Sequence, residues 1–218
     1  MSSKHLPPEI LDLVLDEVDT FNPLDRRKTL FSLARASWSW QERAIALLYG
    51  QVYINKSDQI PLFVRTLCNC PQLAELIRDI RVQSRDPSFQ WDGIAPLPSQ
   101  ASANLKSLRA LTFASEEIVF LDNSDWNFVR SFAPCKSLRA LTIEGFGCIR
   151  SPTGWMALVT AIWSMPQVTH LYMVGCAGDV FTPGSIPFVC FPDYCRDLAH
   201  VQVSFKLSLY TRMVHRSY

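Results

Sequence analysis

Chemistry in a protein begins with side chains that can donate an electron pair, carry a proton or hold a metal, and in this chain of 218 residues they are few and scattered. Cys68 and Cys70 are separated by one residue, too close for an ordinary zinc knuckle, and Cys190 with Cys195 has no matching second pair. His170 and His200 stand thirty positions apart, each directly before an apolar residue, which would stack them on the outward face of neighbouring strands. Two stacked imidazoles could bind a metal or a ligand, but two ligands leave a tetrahedral site half built, so a solvated pair is expected. There is no G-x-S-x-G elbow, no G-x-x-x-x-G-K phosphate loop and no H-E-x-x-H helix. Neither an enzyme nor a cofactor is expected from these residues.

Composition sets the class. With 48% hydrophobic residues the chain is too apolar to be disordered and long enough for one large or two small domains. Lysine and arginine total 21 against 20 acidic residues, so no overall field attracts nucleic acid or an anionic membrane. The opening "MSSKHLPPEI" lacks the apolar run of a signal peptide, which predicts a cytoplasmic or nuclear protein. Seven cysteines at irregular spacing then read as buried thiols in place of a disulfide framework. Residues Ser151 to Gly178 contain no charged side chain, yet Pro166, Gln167, Thr169 and His170 interrupt the stretch. A buried helix followed by a buried strand is expected there, not a membrane span.

The elements that would position these residues follow from a repeat. "KSLRALTF" at Lys106–Phe113 and "KSLRALTI" at Lys136–Ile143 differ only in the last residue. The apolar residues inside them, Leu108, Leu111, Phe113 and Leu138, Leu141, Ile143, recur thirty positions on as Val168, Leu171, Met173 and again as Leu198, Val201, Val203. Upstream the same spacing appears at Ile77, Ile80, Val82 and at Tyr49, Val52, Ile54. The last two residues of each triplet alternate around an outward one, as in a short strand with one buried face. Between strands lie helical patterns at Ser57–Pro71, Asn123–Pro134 and Ser151–Pro166. Residues Ser84 to Asn104, rich in proline and small polar side chains, read as a loop.

One strand and one helix of this size cannot cover their own apolar face, but stacked copies bury one another. The expected fold is therefore an α/β solenoid with a parallel sheet over residues 51–205, followed by an irregular tail at 206–218. The strand spacing resembles the leucine-rich repeat, L-x-x-L-x-L-x-x-N/C. Val168, Leu171, Met173 and Cys176 match it through the cysteine, while the other copies place Arg85, Glu116, Phe146 and Lys206 where the asparagine would stand. The resemblance is to a degenerate form of that repeat. An α/β domain with evenly spaced parallel strands would share the strands, but seven identical residues recurring in phase point to duplication. In a solenoid the outward strand residues are where a target would bind: Arg81, Thr112, Thr142, His170, Tyr172, His200 and Gln202, with Ala110 and Ala140 among them.

Residues 1–50 do not follow the repeat. In "HLPPEILDLVLDEVD", Pro8 and Glu9 suit a helix start. Ile10, Leu11, Leu13, Val14, Leu15 and Val18 then spread over roughly 200° of the helix, against the ~100° stripe that one core needs. A turn at Asn22–Pro23 leads to Leu30, Leu33 and Ala34 at helical spacing, and Trp38 and Trp40 follow at a break.

"LPPEIL", a gap, and "LFSLARASWSWQERAIALLYGQVYI" resemble the F-box motif, L-P-x-E-I/L followed by L-x-x-x-S-x-x-W, and in particular the fungal F-box proteins whose motif precedes degenerate leucine-rich repeats. The "TFNPLDRRK" insertion is longer than the usual spacing. The resemblance implies a three-helix F-box at residues 1–50 and a substrate-recognition subunit of a Skp–cullin–F-box ubiquitin ligase. It implies a Skp-family adaptor, through it a cullin scaffold, and a target protein held by the repeats. Carried over by position, Leu6, Pro7, Pro8, Ile10, Leu11, Val14, Leu30, Leu33 and Trp40 would face the adaptor. The alternative is a leucine-rich-repeat scaffold unconnected with ubiquitination, in which the same residues pack on the first repeat. Exposure of Leu6, Pro7 and Ile10 distinguishes the two.

Overall fold

Val52, Ile80, Leu111, Leu141, Leu171 and Val201 form one continuous row across six parallel strands, and Ile54, Val82, Phe113, Ile143, Met173 and Val203 form the next row but one. These rows are the sixth and eighth positions of the repeated octapeptide. The computed structural model describes residues 8–84, 94–115, 126–145, 152–174 and 200–204. The strands are β1 (Gln51–Ile54), β2 (Asp79–Ser84), β3 (Ala110–Ser115), β4 (Ala140–Glu144), β5 (His170–Val174) and β6 (His200–Ser204). They lie in the sheet in chain order, each parallel to its predecessor. This is a mixed α/β fold.

Among the described residues, helices lie in the connections up to β5. They are α4 (Gln59–Asn69), α5 (Pro71–Leu76), α6 (Ser99–Asn104), α7 (Trp126–Arg130) and α8 (Pro152–Trp163). Parallel neighbours need such crossovers because a tight turn cannot reverse the chain twice. Ile60, Phe63 and Leu67 from α4, Trp126, Phe128 and Val129 from α7, and Leu158 and Ile162 from α8 are buried in the same core as the row residues of β2 to β5. Phe128 stands edge-on to Phe113 and Phe132, with centroids 6.1 and 5.4 Å away, an arrangement the ring quadrupoles favour.

Two expectations change here. The stretch read as a loop carries α6, whose Ala101 and Ser102 are buried, and Asn104 Nδ2 donates to Leu67 O at 2.8 Å, tying that connection to α4. The helix expected over Asn123–Pro134 is the five-residue α7 followed by turns, although Trp126, Val129 and Phe132 are all buried as their spacing implied. The positions read against the asparagine of the repeat, Arg85, Glu116, Phe146, Cys176 and Lys206, lie outside the described residues. So does the tail 206–218. Among the described residues no helix is long and apolar enough to cross a membrane; the described part of the uncharged stretch, residues 152–174, is α8, a turn and β5.

Residues 8–50 build a separate helical core from α1 (Pro8–Asp19), α2 (Pro23–Ala36) and α3 (Trp38–Gly50). Asn22 caps α2 by accepting from Asp25 N–H at 3.1 Å, with Pro23 in the first turn. Leu15, Val18, Leu30 and Ala44 form the centre of this core, with Leu33, Trp40 and Leu47 against it. Arg26, 7% exposed, joins all three helices: from α2 its Nε donates to Asp19 Oδ1 of α1 at 2.6 Å and its Nη2 to Leu47 O of α3 at 3.1 Å. Arg43 pairs with Asp12 across α3 and α1. No loop separates this unit from the sheet, because α3 ends at Gly50 and β1 starts at Gln51, while Gly50 O accepts from Arg78 N–H at 2.9 Å.

Candidate interaction surfaces

Helix α1 presents two apolar faces. Leu11, Leu15 and Val18 are buried, the last two in the core shared with α2 and α3, whereas Ile10, Leu13 and Val14 are 43%, 65% and 40% exposed. At about 100° per residue the exposed three, at i, i+3 and i+4, make one stripe beside the buried one. The first stripe explains why the helix folds. The second is an apolar surface that the described chain does not cover. Phe31 (55%) and Trp38 (88%) are exposed on the same helical unit, Phe31 with the Arg35 guanidinium 5.8 Å from its ring centroid.

The residues assigned to an adaptor therefore divide. Ile10 and Val14 are exposed; Leu11 is buried, Leu30 lies inside the helical core, and Leu33 and Trp40 pack partly buried against it. Pro8 opens α1. Leu6 and Pro7 fall outside the described residues. Leu13 was not among the positions that the motif marks, yet it is the most exposed apolar residue of α1. Its signal was its place three after Ile10 and one before Val14 in a helix with too many apolar residues for one core.

The strand residues read as outward share rows of the sheet. Arg81, Thr112, Thr142, Tyr172 and Gln202 occupy one row, and Asp79, Ala110, Ala140, His170 and His200 another. Arg81 Nη2 reaches across β3 to Glu144 Oε2 of β4 at 2.9 Å; both are about a third exposed, so the pair contributes at most about 1 kcal/mol. His170 Nδ1 is 2.9 Å from Thr169 Oγ1, and its ring stacks on Tyr172 with centroids 6.4 Å apart. Among the described residues no cluster of three or more metal-ligating side chains forms.

The thiols divide by burial. Cys135 is buried with its S–H donating to Ser102 O at 3.4 Å, and loss of solvation pushes its pKa up to about 12. Cys68 and Cys70 are half-buried free thiols, and the remaining cysteines lie outside the described residues.

Fold and surface together define a class: a mixed α/β chain whose parallel strands follow in order from a small helical unit with an unused apolar stripe. Comparison with family models, with curated proteins and with solved structures finds no match.

Proposed function

We propose that the chain is the substrate-recognition subunit of a Skp–cullin–F-box type ubiquitin ligase, its helical unit docking on a Skp-family adaptor and its repeats holding a target protein. One observation carries this reading: Ile10, Leu13 and Val14 are exposed on a helix whose other apolar face is already spent on folding. They coincide with the stretch that resembles the start of the F-box. The strands in chain order, with a recurring inward row and a mixed polar outward row, support the leucine-rich-repeat-like solenoid expected beside it. In this reading α1–α3 are the F-box, and the chain holds its target while other subunits carry out the transfer.

Co-expression with a Skp-family adaptor and its cullin tests the reading. The original chain is expected to co-purify with both, and an Ile10→Asp/Leu13→Asp variant with neither, because hot-spot side chains are worth about 2 kcal/mol or more each. Both changes lie on the exposed stripe, so the variant should retain its thermal midpoint. If the folded original captures no adaptor, the reading fails and the chain is a repeat scaffold with another partner.

A further inference from the structure

The edge of the sheet at which the strands begin carries a second organised surface. In the segments that lead into β2, β3 and β4 two positions recur: Glu75, in the last turn of α5, with Lys106 and Lys136 at the first, and Arg78, Arg109 and Arg139 at the second. The backbone stacks the arginines. Arg109 N–H donates to Arg78 O at 2.7 Å and Arg139 N–H to Arg109 O at 2.8 Å, which sets them one strand spacing, about 4.8 Å, apart. Like charges directly opposite one another across a sheet are unfavourable.

The described residues neutralise little of this column. Lys106 pairs with Glu75 at 2.5 Å, and Asp79 is the carboxylate whose field Arg78 and Arg109 share. Arg78, Arg109 and Lys136 are exposed and make no side-chain hydrogen bond or ion pair among the described residues. Arg139 is held in place, its Nη1 donating to the carbonyls of Lys136, Leu138 and Gln167 at 2.7, 3.0 and 3.4 Å. Its Nε and Nη2 have no partner among the described residues.

Guanidinium forks fit carboxylates and phosphates in paired hydrogen bonds. The column from Arg78 to Arg139 spans two strand spacings, about 10 Å, the length of three or so extended residues. That is short for a nucleic acid, whose binding sites commonly neutralise roughly 6–10 phosphates, and Asp79 would oppose a continuous phosphate backbone. The net charge of +1 supplies no long-range attraction for one either. We propose that the Arg78–Arg109–Arg139 edge, with Lys136 beside it, binds an acidic segment of a partner protein, presenting its Asp or Glu carboxylates along an extended stretch. The inference names the chemistry of the target in the receptor reading and rests on that reading only in assigning the target to the repeats.

Fluorescence anisotropy with a labelled peptide of about eight glutamates, titrated with the full chain at low salt, tests it. The original should bind with an affinity that falls as salt is raised. Arg78→Gln/Arg109→Gln should weaken binding about tenfold, since each exposed ion pair is worth up to about 1 kcal/mol. Arg78→Lys/Arg109→Lys, which keeps the charge and loses the fork, should fall between the two. No binding by the folded original, equal binding by the glutamine variant at an unchanged thermal midpoint, or tighter binding of a single-stranded oligonucleotide of equal charge would each overturn it. Adaptor capture run on the same proteins separates the two proposals. Peptide binding without adaptor capture upholds this one and removes the ligase reading; adaptor capture without peptide binding does the reverse.

Discussion

Gly145 follows β4 with φ +73°, a left-handed backbone that side chains resist, and a Cβ there would stand 1.9 Å from Ser115 O of the neighbouring strand. Gly145→Ala must therefore both strain its own backbone, about 1–2 kcal/mol, and push β3 and β4 apart at their ends. A fall in thermal midpoint of several degrees is expected, and an unchanged midpoint would show that the contact is not made. Asp79 is a milder case. Burial raises its carboxyl above the ordinary value of 3.8, against the pull of Arg78 and Arg109. Its ionised form is thus the less favoured one in the fold. The stability linked to this group is complete below the unfolded value and lost as pH rises through the folded one. Asp79→Asn should melt higher than the original at neutral pH, with the gap closing as pH falls towards 3.8. Cys135, its thiol held protonated by burial, should resist alkylation in the native chain while Cys68 and Cys70 react. A buried thiol was expected from the irregular cysteine spacing, but the contact at Gly145 and the surroundings of Asp79 were not legible in the sequence, because both depend on which strand lies alongside.

The strands themselves were legible. An exposed-face residue and a buried-face residue alternate by the geometry of an extended chain, so identical octapeptides fixed both the register and the face before any contact was known, and Leu111, Leu141 and Leu171 lie in one row as their phase required. Leu111→Ala, at a residue with no exposure, should cost roughly 2–5 kcal/mol in chemical denaturation. Thr112→Ala, on the half-exposed outer row next door, should cost well under that. Equal costs would mean that the two faces had been exchanged. Short connecting helices were harder to read. Ser99–Asn104 has only six residues, too few for a periodicity to show, and α6 is held by burial of Ala101 and by the Asn104 bond to Leu67 O and not by propensity. In α1 the excess of apolar residues was visible, but which three were surplus was not. That division follows from where α2 and α3 lie, and it moved Leu11 and Leu30 to the interior and brought Leu13 to the surface.

Among the described residues the chain has two cores joined without a linker: the helical one around Leu15, Leu30 and Ala44, and the larger one beneath the sheet. Each offers a different surface, an apolar stripe on α1 and a basic, polar edge and face on the strands. That separation suits a receptor that holds an adaptor at one end and a target at the other. Titration calorimetry of a purified Skp-family adaptor into the chain tests whether the stripe on α1 is the proposed docking face. Saturable binding by the original is expected, with a loss of roughly thirtyfold or more for Leu13→Asp at an unchanged melting temperature, equivalent to about 2 kcal/mol. Equal affinity for the two folded proteins, or no binding by either, would contradict it.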